Sequence, residues 1–187
     1  MEKMIFSAKQ PQITLSNKKA LVLINEKENS HPVMDAEGNP TKDTLTEYEY
    51  DGVWIDDVLS EQDVLPKVKA YVIALITAYD SSKAVNNFTI NGVDVWLDRS
   101  TRVALMRRCE AEKTSGVTTT ILWYGENVFK MPVDTAISVL NKIEIYACKS
   151  FDVTAAHKTA VAELGNIEDL LTYDYKAGYP DKLDFKA

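Results

Sequence analysis

The stretch Phe88-Thr89-Ile90-Asn91-Gly92-Val93-Asp94-Val95-Trp96-Leu97-Asp98 decides the fold of the second half of the chain. Asn91-Gly92 between two short apolar runs predicts a β-hairpin, because both residues tolerate the positive φ angles of a type I′ turn. Asp98 then predicts the N-cap of a helix over residues 99–113, which Gly116 ends. A hairpin followed at once by a helix is typical of an α+β domain.

Upstream of this stretch, the pattern predicts a helix. Apolar residues recur at helical spacing from Val68 through Val72 and Leu75 to Tyr79, and they form one stripe that faces a core. Asp63 is its predicted N-cap, which places Pro66 in the first turn, where a missing N–H is harmless.

Downstream, a second hairpin is predicted from strands at residues 118–124 and 128–131, and Pro132 opens a long helix. A break or kink is expected at residues 150–154, because Asp, Val and Thr there are weak helix formers. Asn166 caps a last short helix. The predicted domain therefore has three or four helices packed on two hairpins.

The first 57 residues are predicted to be β-structure and are strongly acidic. Strands are expected at residues 12–15, 19–25 and 44–50, with a loop over residues 31–43 and a hairpin turn at Asp51-Gly52. Residues 1–57 hold six lysines against eleven carboxylates, and residues 58–187 carry a net charge of only −2. This asymmetry predicts an acidic N-terminal β unit (residues 1–57) and an α+β domain (residues 58–187).

Composition excludes several functional classes. A net charge of −7 repels phosphate backbones, so nucleic acid is not an expected partner. The longest strongly apolar helical run, residues 70–78, is too short to span a bilayer, and no membrane association is expected. The start of the chain has no signal-peptide core, so synthesis is expected in the cytoplasm without export.

Residues able to do chemistry are few and scattered. His31, His157, Cys109 and Cys148 lack the local spacing of zinc ligands, and no glycine-rich phosphate loop is present. A Cys–His nucleophile pair would need an activating environment that the sequence does not indicate, and Asp56-Asp57 is typical of a polar hinge. The sequence thus predicts no catalytic residue, metal or cofactor, and a protein that is not an enzyme.

Aromatic side chains are the one candidate binding set, and two interpretations of them stay open. The tryptophans could anchor the core where sheet meets helices. Alternatively, exposed rings could stack on sugars, as in carbohydrate-binding proteins. The candidate residues for a ligand or partner are Trp54, Trp96, Trp123 and Tyr124.

The second half of the chain resembles an uncharacterised domain family of phage and prophage tail-fibre and tail-associated proteins. The resemblance covers roughly residues 65–185 and follows an ordered set of motifs. These are the Asn-Gly hairpin, Trp96-Leu97-Asp98, the Arg102 helix, Leu122-Trp123, Ala155-Ala156-His157 and Tyr173-Asp174-Tyr175 through Gly178-Tyr179-Pro180.

The resemblance implies a non-enzymatic structural or interaction protein of a phage tail, fibre-associated or adaptor in role. Its partners would be other phage tail proteins, and a homo-oligomer would follow the rotational symmetry of the particle. The virion tail would be its location, after synthesis in the bacterial cytoplasm. A carbohydrate-binding module for host surface glycans and a tail assembly chaperone are the alternatives.

Overall fold

The computed structural model describes residues 1–186 and confirms the predicted α+β class. Within this range, nine strands and four helices follow one another along the chain. In order they are β1 (Glu2–Phe6), β2 (Ile13–Ser16), β3 (Lys19–Met34), β4 (Pro40–Asp56), α1 (Glu61–Asp80), β5 (Phe88–Ile90), β6 (Val93–Val95), α2 (Arg99–Thr114), β7 (Thr119–Tyr124), β8 (Asn127–Pro132), α3 (Val133–Glu163), α4 (Ile167–Thr172) and β9 (Asp184–Phe185).

The chain divides into two compact units. Unit 1 contains Met1–Ile73 and Val161–Tyr173, and unit 2 contains Ala74–Ala160 together with residues 174–186. The division falls within α1 and α3, whereas the boundary predicted from charge and pattern lies at residues 57 and 58, just after β4 ends.

Unit 1 is built on an antiparallel sheet with the strand order β1-β4-β3-β2. Residues 20–24 in the first half of β3 are all buried, so both faces of the sheet are covered there. On one face, Leu21, Leu23 and Tyr50 form a hydrophobic cluster. Burial of these apolar side chains, together with that of Val22 and Ile24 on the other face, stabilises the sheet.

The predicted hairpin turn at Asp51-Gly52 is wrong. Both residues lie inside β4, where Asp51 pairs with Ile24 and Gly52 with Leu23. A Cβ atom on Gly52 would approach Met4 Sδ to 2.5 Å and Leu23 Cδ2 to 3.0 Å. The end of the Met4 side chain and the Leu23 side chain therefore pack into the space left by the missing Cβ, and Gly52 serves side-chain packing within the sheet rather than a chain reversal.

The predicted loop over residues 31–43 is also wrong in extent. Strands β3 and β4 run through most of it and reverse over residues 35–39. The Asp35 carboxylate closes this turn by accepting hydrogen bonds from the backbone amides of Glu37 and Asn39, both at 2.9 Å. Pro32 and Pro40 are compatible with these strands because no third strand needs their missing N–H groups.

Unit 2 has a core formed by the two predicted hairpins together with α2 and α3. Asn91 and Gly92 have φ angles of 52° and 78°, as the type I′ prediction requires. Asp98 caps α2 by accepting a hydrogen bond from the Thr101 amide at 2.7 Å, which confirms the predicted cap. The main buried side chains of this core are Phe88, Ile90, Val95, Leu97, Leu122, Phe129, Met131, Leu140 and Ile143.

Of the break or kink predicted at residues 150–154, the break is wrong, since α3 is one continuous helix there. Thr154 is buried, and its hydroxyl bonds both Asp80 Oδ1 and the Tyr179 hydroxyl at 2.8 Å. These tertiary contacts outweigh the weak helix propensity of the segment. At α1, the predicted cap is displaced, because the helix begins at Glu61 and Asp63 accepts a hydrogen bond from the Ser60 amide.

Candidate functional site

Strands β3 and β4 extend well beyond the sheet as a two-stranded ribbon. Neither neighbour follows them: β2 pairs only as far as Val22, and β1 pairs only as far as Tyr48. We call residues 27–47 the distal hairpin. Eight residues of β3 reach its turn, which corresponds to roughly 25 Å. None of residues 27–47 is buried, so this ribbon contributes nothing to the hydrophobic core of unit 1.

A β-bulge marks the point where the distal hairpin leaves the sheet. Two residues of β3, Asn25 and Glu26, lie opposite the single residue Tyr50 of β4. Asn25 adopts a positive φ of 56° and donates a hydrogen bond to Asp51 Oδ2 at 2.8 Å. The Tyr50 hydroxyl donates to Glu26 Oε2 at 3.2 Å. Bulges bend a strand and increase its twist, so these bonds set the direction in which the ribbon leaves the sheet.

The distal hairpin is acidic. It carries five carboxylates, from Glu28, Asp35, Glu37, Asp43 and Glu47, against two lysines. Within residues 1–186 none of the five forms an ion pair. Hydrogen bonding led by the Asn39 amide lowers the pKa of the turn residue, Asp35, so its charge persists in mildly acidic solution. The charge of this ribbon is therefore available to a basic surface.

Unit 2 contains a cavity of about 500 Å³, a size typical of small-molecule sites. Its lining comes from the end of α1 and the segment after it, from the segment between β6 and α2, from the start of α2, and from the middle of α3. The lining residues are Asp80, Asn86, Trp96, Asp98, Arg99, Arg102, Glu144, Ala147, Cys148, Ser150, Phe151 and Asp152.

Arg102 is the buried, fixed element of this cavity. Its Nε donates to Glu144 Oε2 at 2.6 Å, and its Nη1 donates to the Leu97 carbonyl oxygen at 2.7 Å. The guanidinium also lies over the Trp96 ring, with 5.8 Å from Cζ to the ring centroid. Because Arg102 is only 8% exposed, these three partners hold both the cation and the Trp96 ring in one orientation.

Two of the remaining charged groups of the cavity already form hydrogen bonds with other residues of unit 2. Asp98 caps α2, and hydrogen bonds from Ser100 and Thr101 lower the pKa of its carboxyl group. Asp80 accepts a hydrogen bond from Thr154. Asp152 and Phe151 are exposed, and Phe151 is 71% accessible although it is a large apolar ring. The cavity thus combines a fixed polar pair, Arg102 and Glu144, with the exposed aromatic ring of Phe151.

The four candidate aromatic residues do not form one site. Trp54 lies in β4 of unit 1, and the other three lie in unit 2. Trp123 and Tyr124 are neighbours in β7, and Tyr124 packs against the core while Trp123 is exposed. Only Trp96 lines the cavity, where it also contacts Phe88 at a ring-centroid distance of 6.3 Å.

The interpretation of the tryptophans as core anchors holds for one of them. Trp96 is partly buried and packs against the core of unit 2. Trp54 and Trp123 are 48% and 66% exposed, so for these two the interpretation is wrong. Both rings are therefore solvent-exposed apolar surface, and tryptophan is a residue type that is enriched at interfaces.

The histidines and cysteines are not brought together. His31 is in the distal hairpin, and His157 lies beside Ala177 and Tyr179, with its Nε2 atom 2.9 Å from the Ala177 carbonyl oxygen. Both cysteines are free, and burial raises the pKa of the Cys109 thiol, which disfavours its reactive thiolate. Within residues 1–186, no group of three or more His, Cys, Asp or Glu side chains could hold a metal ion.

Sequence reasoning missed most of the cavity because its residues come from separate elements. Glu144, Phe151 and Asp152 all lie in α3, where a break or kink was expected, and no linear motif links them to Trp96. One signal was present: Phe151 falls outside the buried stripe of α3, which contains Ala136, Leu140 and Ile143. An aromatic residue on the polar side of an amphipathic helix is not buried by the packing of that helix, so it is a candidate for contact with a ligand or a partner.

Comparison with protein-family models, with curated proteins and with solved structures found no match. Among the helices of residues 1–186, none combines the length and the apolar character that a bilayer-crossing helix requires.

Proposed function

We propose that this chain is a non-enzymatic structural or interaction protein of a phage or prophage tail, with a fibre-associated or adaptor role. The observation that carries the proposal is the distal hairpin, an exposed, acidic, two-stranded ribbon supported by no other part of unit 1. The resemblance of residues 65–185 to tail-associated proteins supplies the biological setting.

Energetic considerations support a binding role for the distal hairpin. An isolated two-stranded ribbon is marginally stable in water, and residues 27–47 bury no side chain to offset the entropy of ordering them. A partner that covers the ribbon would supply the missing burial. Three exposed apolar side chains on it, Val33, Met34 and Leu45, would contribute to such a contact. Its unpaired carboxylates favour a partner with a basic surface.

The test is incorporation of the chain into phage particles. Residues 29–47 are replaced by Asn-Gly, which joins the directly paired residues Glu28 and Tyr48 and leaves the β1–β4 pairing in place. Particles from a lysate complemented with each form are purified, and the copy number of the chain is measured by quantitative mass spectrometry. We expect a defined copy number for the full chain and a loss of at least about tenfold for the shortened chain.

A second variant tests the charge of the distal hairpin separately from its length. It keeps the distal hairpin but converts its five carboxylates to amides, and we expect intermediate incorporation that depends less on salt than incorporation of the full chain does. Absence of the full chain from particles, despite abundance in the lysate, would overturn the structural role. Normal incorporation of the shortened chain would show that the distal hairpin is not the binding element.

A further inference from the structure

We propose that the cavity of unit 2 is a binding site for a neutral saccharide of one or two pyranose rings. The proposal stands on the cavity alone and is independent of the distal hairpin. A saccharide presents hydroxyl groups that both donate and accept hydrogen bonds around its edge, together with apolar C–H faces. The cavity offers the matching combination of carboxylates, guanidinium groups and aromatic rings.

The charges in the cavity argue against an anionic ligand. Four carboxylates and two guanidinium groups line it, so a phosphate or a nucleotide would meet a net negative surface. One of the two cations, Arg102, already donates to Glu144 and to the Leu97 carbonyl. Two of its five N–H groups are consequently engaged, and the Glu144 carboxylate offsets its charge, which weakens its attraction for a second anion.

A cationic ligand is disfavoured as well, because most of the carboxylates are already used. Glu144 is paired with Arg102, Asp98 caps α2, and Asp80 accepts from Thr154. Within residues 1–186, Asp152 is the one lining carboxylate with neither an ion pair nor a side-chain hydrogen bond, and Arg99 lines the same cavity. Hydrogen-bonded carboxylates keep spare lone pairs, so they can still accept from ligand hydroxyl groups without needing a positive charge.

The aromatic residues provide the apolar side of the site. Phe151 is 71% exposed at the edge of the cavity, a position at which the ring gains nothing from the core. Trp96 is held in one orientation by Arg102 and Phe88. A preoriented ring loses little entropy on binding, and a pyranose C–H face covering Phe151 would remove apolar surface from water.

The test measures sugar binding by the fluorescence emission of Trp96. The chain has three tryptophans, so the double variant Trp54→Phe, Trp123→Phe leaves Trp96 as the single indole emitter. Its emission is titrated with glucose, galactose, mannose, N-acetylglucosamine, maltose and lactose. Saturation-transfer difference NMR with the same sugars and the unmodified chain detects binding that leaves the emission unchanged. We expect a saturable response to at least one of these neutral sugars.

Two variants locate the site. Phe151→Ala and Asp152→Asn alter exposed residues, so folding should be retained, and circular dichroism verifies this. We expect both to weaken binding, Phe151→Ala by about tenfold. Ile145→Ala, at a 57% exposed position of the same helix outside the cavity lining, is the matched control and should bind normally.

Three results would overturn the proposal. No response to any neutral sugar by either method would remove the site. Tighter binding of glucuronate or glucosamine than of any neutral sugar would show that the ligand class is charged. Binding that survives Phe151→Ala and Asp152→Asn unchanged would place the sugar elsewhere, for example at an exposed tryptophan. None of these results bears on the incorporation of the chain into particles.

Discussion

At the scale of single residues, Arg102 shows how one side chain organises the second half of the molecule. It joins the Leu97 carbonyl, Glu144 of α3 and the ring of Trp96. Lysine keeps the positive charge but lacks the planar guanidinium group with its several N–H donors, so it cannot contact all three partners at once. We expect Arg102→Lys to lower the free energy of unfolding by about 2 kcal/mol, measured by urea denaturation.

Arg107→Lys on the same helix is the matched control for this change. Arg107 is exposed, so we expect its replacement to alter the free energy of unfolding by less than about 0.5 kcal/mol. Equal losses in the two variants would mean that the bonds of Arg102 add nothing specific to stability.

Other residues show where sequence reasoning succeeds and where it stops. Asn91-Gly92 and Asp98 were predicted correctly because the signal is local: a turn needs positive φ, and a helix end needs an acceptor. Asp51-Gly52 carries an equally strong local signal and was predicted wrongly. The reason lies in residues distant in sequence: Asp51 and Gly52 pair with Ile24 and Leu23 of β3, and the Met4 side chain packs over Gly52.

At the scale of elements, the N-terminus of α2 couples helix stability to pH. Hydrogen bonds from Ser100 and Thr101 lower the pKa of Asp98, so its contribution to stability is present above the pKa of the unfolded chain. That contribution is lost as pH falls through the lower pKa of the folded state. Asparagine caps a helix without a titrating group. We therefore expect Asp98→Asn to lose less stability than the unmodified chain between pH 7 and pH 3.

The measurement is the urea midpoint at both pH values, with Asp98→Ala as the comparison that removes the cap altogether. We expect Asp98→Ala to have a lower midpoint than Asp98→Asn at pH 7. An acid-induced fall of the midpoint that is the same in Asp98→Asn as in the unmodified chain would contradict the assignment of this pH dependence to the cap.

Elements also show why a part of the fold could not be predicted. The continuity of α3 depends on Thr154, whose two hydrogen bonds reach residues far away in the chain. The short parallel strand β9 exists only because β5 offers it an edge. The cavity also depends on contacts between residues that are distant in sequence. Trp96 could be identified as an aromatic candidate, but its neighbours from α3 are set by tertiary packing.

At the scale of the whole molecule, stability is expected to change along the length of single strands. Residues 20–24 of β3 are buried on both faces, whereas residues 27–47 are not buried and have no third strand beside them. Backbone amides in such exposed ribbons open by small local fluctuations. Hydrogen exchange followed by mass spectrometry should therefore show fast exchange in peptides from residues 28–47 and slow exchange in peptides from residues 20–24.

The bulge at Asn25 and Glu26 is where this change in exchange rate should occur. Uniform protection along all of β3 would contradict the prediction and would indicate that the distal hairpin is covered in solution. The same experiment in the presence of a binding partner would then locate the covered residues.

The distal hairpin also has a consequence for how such a protein can diversify. Side chains alternate between the two faces of a strand, so adding two residues to each strand lengthens the ribbon by about 6.7 Å and leaves every existing side chain on its face. The bulge and the core residues behind it are unaffected by that change. Insertions and deletions of residue pairs in the distal hairpin would therefore change the distance between unit 1 and a protein bound at the turn, while the rest of the molecule stays the same.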